Sequence, residues 1–159
     1  MDHSGESRLS TKIGRLRITL WTAPGRRFVV ACDYENDVVK QKDSLGRWGE
    51  DLATAYLRDL GWTILDRNWR CRAGEIDIVA VDPGEPARLV AVEVKTKAGV
   101  RFGDPLEAVT FAKTARLGRL ALWWQRSHPD VPFSLRLDAV GVTKMPGLVP
   151  VVRHVRGLS

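Results

Sequence analysis

Two alternating segments flank a turn that can close in only a few ways. Glu75-Ile76-Asp77-Ile78-Val79 and Val92-Glu93-Val94-Lys95 each carry β-branched residues at every second position, the signature of a strand. Residues 82–87 between them hold two prolines and a glycine, which is dense turn chemistry. Successive strand residues face opposite sides, so Glu75 and Asp77 share a face, as do Glu93 and Lys95. Pairing Asp82 with Arg88 across a five-residue loop brings Asp77 opposite Glu93 and Glu75 opposite Lys95. The same register sets Ile76, Ile78 and Ala80 against Val94, Val92 and Val90. One face is then apolar and the other carries every charge, a segregation that a one-residue slip would destroy.

The rest of the chain supplies partners for this hairpin. Ser44 suits an N-cap and Gly61 a C-terminal stop for a helix over 45–60, within which Leu45, Trp48, Leu52, Ala55 and Tyr56 recur at helical spacing. Strands are expected over 62–68, 75–81 and 88–95, a long helix over 106–127, and closing strands over 133–143 and 148–155. The order α-β-β-β-α-β-β predicts an α/β fold, a sandwich around a mixed central sheet, occupying residues 45–159. Residues 1–44 show no sustained periodicity. They read as a poorly ordered N-terminal extension, with 16–20 and 27–31 as short strands of one weak hairpin.

Composition narrows the function classes. Hydrophobic residues make up 44% and charged residues 28% of the 159, an ordinary globular balance. No apolar run approaches the roughly 18 residues that cross a bilayer, so no membrane partner is expected, and without a visible export signal the expected location is cytoplasmic. Cys32 and Cys71 then read as free thiols, and His3, His128 and His154 are too scattered for a structural zinc site. The net charge of +6 favours polyanionic partners such as nucleic acid.

The opposed carboxylates carry the chemistry. Directly opposed strand positions hold their Cβ atoms roughly 5 Å apart, so Asp77 and Glu93 repel and one pKa rises. A hard divalent cation relieves that repulsion. Mg²⁺ in particular combines a few carboxylates with water and substrate phosphate oxygens. Lys95, two residues from Glu93, is set to orient a water or to neutralise charge on a phosphate. The plain alternative is a solvated strand face with a Glu75–Lys95 surface pair. Against it, the flanking valines and isoleucines mark a well-covered strand, where unneeded charges are costly.

Asp77 followed by Glu93-Val94-Lys95 resembles the PD-(D/E)xK nuclease motif, a strand Asp followed by (D/E)-x-K on the next strand. Four stretches in order are similar to the bacterial YraN family, itself akin to Holliday-junction-resolvase-like endonucleases. They are Gly46-Arg47-Trp48-Gly49-Glu50 with Ala53 and Tyr56-Leu57; Asn68-Trp69-Arg70 leading to Gly74-Glu75-Ile76-Asp77; Val92 through Lys97; and Phe102-Gly103 through Glu107-Ala108-Val109 to Lys113. The resemblance spans about 45–143 and implies a restriction-endonuclease-like fold. It assigns Asp77, Glu93 and helical Glu50 to metal binding and catalysis, and Lys95 to catalysis. Ile76 stands where the motif's proline is expected.

Candidate nucleic-acid contacts follow from charge. Lys113, Arg116 and Arg119 recur at three-residue steps, with Arg126 beyond, as a cationic ridge suited to phosphates. The loop 97–104 adds Lys97, Arg101 and Phe102 beside the site. Trp123 and Trp124 read as core or subunit interface rather than as stacking platforms. Two functions follow. The first is a Mg²⁺- or Mn²⁺-dependent endonuclease acting on nucleic acid, DNA ahead of RNA, with branched or single-stranded substrates in view and a homodimer left open. The second is a non-catalytic nucleic-acid-binding or scaffold protein on the same fold.

Overall fold

The computed structural model describes residues 7–13, 16–23, 26–33, 43–99 and 103–159, with side chains from Ser44 onward. Three N-terminal strands come first: β1 (Ser7–Ile13), β2 (Leu16–Ala23) and β3 (Arg26–Asp33). They pair antiparallel in sequence order. The two expected short strands lie within β2 and β3, and β1 adds a third.

The α-β-β-β-α-β-β order follows. Helix α1 (Asp43–Asp59) leads to β4 (Thr63–Cys71), β5 (Gly74–Asp82) and β6 (Arg88–Ala98). Helix α2 (Phe111–Arg126) then precedes β7 (Ser134–Lys144) and β8 (Val151–Arg156). The five strands β8-β7-β6-β5-β4 form one mixed sheet, with β6 and β7 parallel and the other neighbours antiparallel. The parallel pair requires a crossover, which α2 supplies. The N-terminal strands extend this sheet through a single residue pair, Val29 with Val151.

Alternation along β6 sorts the core into two layers. Val90, Val92 and Val94 pack with Leu52, Tyr56 and Leu57 of α1, whereas Leu89 and Ala91 pack with Leu117, Leu120 and Trp124 of α2. The helices therefore cover opposite faces, and the sheet is buried on both sides as its near-continuous apolar strands require. Gly49 lets α1 lie close to β6: a Cβ there would fall 1.8 Å from Thr96 Oγ1 and 2.9 Å from Thr96 Cβ.

One expected element divides. The helix expected over 106–127 becomes a 3₁₀ turn, Pro105–Ala108, followed by α2. Asp104 caps the turn by accepting the Leu106 N–H at 2.9 Å. Val109 and Thr110 then return to extended backbone, and Thr110 caps α2 through the Lys113 N–H at 3.4 Å. A hydroxyl that bonds forward to the backbone favours a new N-terminus over continuation. The turn packs against Gly141, where a Cβ would meet Pro105 Cγ and Leu106 Cγ, both at 2.9 Å.

Candidate active site

The β5–β6 register is the one the charge pattern selects: Asp82 pairs with Arg88, Ala80 with Val90 and Ile78 with Val92. The ladder ends at Ile78. Beyond it the backbone of Val94 donates to the Asp77 side chain instead, N to Oδ2 at 2.6 Å. Asp77 thus sits where the two strands part and its carboxylate takes the place of a ladder carbonyl.

A second irregularity adjoins it. Asn68 on β4 has φ 53°, the left-handed conformation that asparagine tolerates. The β4–β5 pairing passes from Arg67–Ile78 directly to Trp69–Ile76. Strict alternation would keep Ile76 with Ile78. Instead Ile76 packs in the α2 layer and Ile78 in the α1 layer. The expectation that Ile76, Ile78 and Ala80 share one apolar face is corrected here, because the break opposite Asn68 turns the start of β5 toward α2.

Asp77 is buried, with 9% of its surface exposed. Burial pushes its carboxyl up to about 7, opposed by the Val94 N–H, reinforced by the charge of Glu93, opposed by Lys95 and reinforced least by Glu50. Glu93, Lys95 and Glu50 thus all act on the charge of Asp77. Lys95 forms an ion pair with Glu93 and also donates to the Val94 carbonyl at 3.3 Å. By alternation with Val92 and Val94, Glu93 and Lys95 lie on the α2 side of the sheet. The expected Glu75–Lys95 pairing does not form. Glu75 binds Arg70 at 3.1 Å and is largely exposed, since the strands have already diverged at its position.

Glu50 lies on α1 beside Gly49, carried toward the end of β6 by the close approach to Thr96. Asp77 and Glu93 are the two oxygen-donor side chains that could hold a cation. Among the described residues, no three of His, Cys, Asp and Glu gather as a metal-holding group.

The nucleic-acid candidates divide. Lys113, Arg116 and Arg119 are all exposed on α2. Lys113 Nζ donates to the Ala108 carbonyl at 2.7 Å, and Arg116 Nε to the Ala73 carbonyl at 3.1 Å. Lys97 turns inward to the Asp104 carbonyl at 3.1 Å. Arg101 and Phe102 lie outside the described residues. The two adjacent tryptophans part company: Trp124 is core, 2% exposed and bonded to Asp66, whereas Trp123 is 46% exposed. Cys71 is a free thiol.

Sequence reasoning missed a buried ionic network at the other end of the sheet. Asp138, fully buried, accepts from Arg136 Nε at 2.8 Å, His154 Nε2 at 2.9 Å and the Gly157 N–H at 3.0 Å. Arg136 also reaches Asp82 at 2.9 Å and lies over the Trp62 ring. A charged pair two residues apart inside the apolar strand Leu135–Val142 was the available signal.

A model of the uncharacterised protein family UPF0102 matches residues 49–142. This chain belongs to that family. A UPF0102 protein from Kineococcus radiotolerans is 50% identical over 122 residues, 76% of this chain and 98% of the relative. One from Frankia alni is 48% identical over 119 residues, covering 75% and 97%, and one from Nocardia farcinica is 46% identical over 120 residues, covering 76% and 92%. The UPF0102 match spans Glu50, Asp77, Glu93 and Lys95 together. Among the described residues no helix is long and apolar enough to cross a membrane.

Proposed function

We propose that this UPF0102 chain is a Mg²⁺- or Mn²⁺-dependent endonuclease that hydrolyses nucleic-acid phosphodiesters, DNA ahead of RNA. The observation that carries the reading is Asp77, buried at the parting of β5 and β6 with Glu93 and Lys95 as its electrostatic neighbours. Burying a carboxyl beside another acid costs more stability than the single Val94 N–H bond returns, and such a perturbed group in a cluster of charges marks a candidate functional site. The donor set of two carboxylates, with no sulfur or imidazole, fits a hard divalent cation completed by water and phosphate oxygens.

Asp77 and Glu93 would hold the cation, with Glu50 near enough to add charge. When bound, the cation supplies Lewis acidity to the phosphate and lowers the pKa of water. In the hydrolysis a water oxygen bonds to phosphorus, one P–O ester bond breaks, and the departing oxygen gains a proton. Lys95 provides the positive charge that orients the water and offsets the growing charge on the phosphate. The exposed cations of α2 would hold the backbone.

The test is Mn²⁺-dependent cleavage of single-stranded, duplex, flapped and four-way-junction DNA and of RNA. Asp77→Asn is expected to lower cleavage by at least about a hundredfold, since even groups one shell removed from a metal matter by 10- to 100-fold. Folding and nucleic-acid binding should persist, because the amide oxygen can still accept from Val94. The second reading, a non-catalytic nucleic-acid-binding or scaffold protein, draws support from the Lys95–Glu93 ion pair and from the lack of a three-acid group among the described residues. It takes the first reading's place if wild type binds no divalent metal by calorimetry and cleaves none of these substrates.

A further inference from the structure

The tip of the β4–β5 hairpin folds over the outer side of α2. Arg116 holds it there through the Ala73 carbonyl. Gly74 sits at φ +148°, a backbone conformation that favours glycine, and a Cβ there would displace the Arg116 guanidinium, 2.3 Å away. Between the tip and the helix lies an open groove of about 690 Å³ lined by Cys71, Arg72, Ala73 and Trp123.

Trp123 gives this groove an aromatic wall. It is nearly half exposed, although Trp124 beside it is core. Residues four and seven apart lie on one side of a helix, so Arg119 and Arg116 share a stripe with Trp123. All three are exposed, as is Arg126 in the last turn. Arg72 faces them from the hairpin, and none of the groove-lining residues is acidic. An exposed indole flanked by guanidinium groups suits a strand of unpaired bases on a phosphate backbone: the ring offers a π-face and the arginines meet the phosphates. A duplex hides its base faces and could use only the charges.

We propose that Trp123 stacks on an unpaired base of a single-stranded nucleic acid, with Arg72, Arg116 and Arg119 on the adjoining phosphates. The proposal rests on the nucleic-acid reading above and gives it a substrate class.

Fluorescence anisotropy with the full chain in chelator measures binding separately from cleavage. The probes are a mixed-sequence single-stranded DNA, the same strand as duplex, and an abasic strand of equal length. Trp123→Ala should weaken single-strand binding about tenfold or more and change duplex and abasic binding less than twofold, while Trp123→Phe should restore most of the loss. Equal weakening of all three probes, or no weakening of the single strand, overturns the stacking site. So does a dimer that Trp123→Ala dissociates with single-strand affinity intact, which would make this face a contact between copies. If wild type cleaves nucleic acid while Trp123→Ala binds all probes normally, only the stacking site falls. If wild type neither binds nor cleaves any of them, both readings fall.

Discussion

Asp77 and Asp138 are both buried aspartates, yet their surroundings drive their carboxyls in opposite directions. Burial raises Asp77 from 3.8 to about 7. At Asp138 burial also acts upward, but hydrogen bonds from His154, Arg136 and the Gly157 N–H outweigh it and hold the carboxyl below the usual range. The stability consequences are opposite. The cost of Asp77 appears as pH rises above 3.8 and is complete above about 7, so Asp77→Asn in chelator should raise the free energy of unfolding, and Tm with it, progressively between these values, by a few kcal/mol at the upper end. The contribution of Asp138 is present above its unfolded value and lost as pH falls through its lowered one. Asp138→Asn should cost about 1–3 kcal/mol at neutral pH, since it removes a buried charge that accepts from Arg136 and His154 and leaves the half-buried Arg136 with Asp82 as its acidic partner, and the cost should shrink in acid. Thermal unfolding of both variants from acid to pH 8 checks the pair, and parallel profiles would contradict it. Asp77 was readable beforehand because its charge sat opposite another in the only register that segregates apolar from polar. Asp138 was not, because beyond Arg136 on its own strand its partners, His154 and Gly157, come from the end of the chain, and their meeting depends on tertiary packing.

At the scale of elements, period and capping located each helix and strand from α1 to β8, but two local features escaped. A single helical pattern over 106–127 hid a 3₁₀ turn, because Val109 and Thr110 fit the apolar spacing while the Thr110 hydroxyl starts a new helix. The face switch between Ile76 and Ile78 depends on the left-handed Asn68 of the neighbouring strand, a conformational choice that alternation alone does not encode. The close approach of α1 to β6 yields a further expectation. Gly49→Ala forces a methyl against Thr96 and should destabilise the fold by about 1–3 kcal/mol, measured by urea unfolding. Pairing it with Thr96→Ser, which removes one of the crowding atoms, should recover part of the loss.

For the whole molecule, the N-terminal strands join the five-stranded sheet through one residue pair, and the family match begins only at residue 49. Removing residues 1–42 is therefore expected to leave thermal unfolding cooperative, and a broad, shallow transition would put that segment in the core. On the proposed nucleic-acid reading, the charge distribution predicts binding that is salt-sensitive and indifferent to sequence. Each phosphate neutralised adds roughly −0.9 to the log–log slope of affinity against salt, so Arg119→Ala should reduce that slope by about one on unrelated sequences alike. A strong preference for one sequence would show that something reads bases.

The bond from the Val94 amide to the Asp77 carboxylate has a spectroscopic consequence. In a ladder that amide would report only on opening of the sheet. Bonded to an ionisable oxygen, its proton resonance should move downfield as Asp77 loses its proton near pH 7, and should shift again when a divalent cation is titrated in. One backbone NMR signal thereby becomes an internal gauge of the charge on Asp77, available without any substrate and absent from Asp77→Asn.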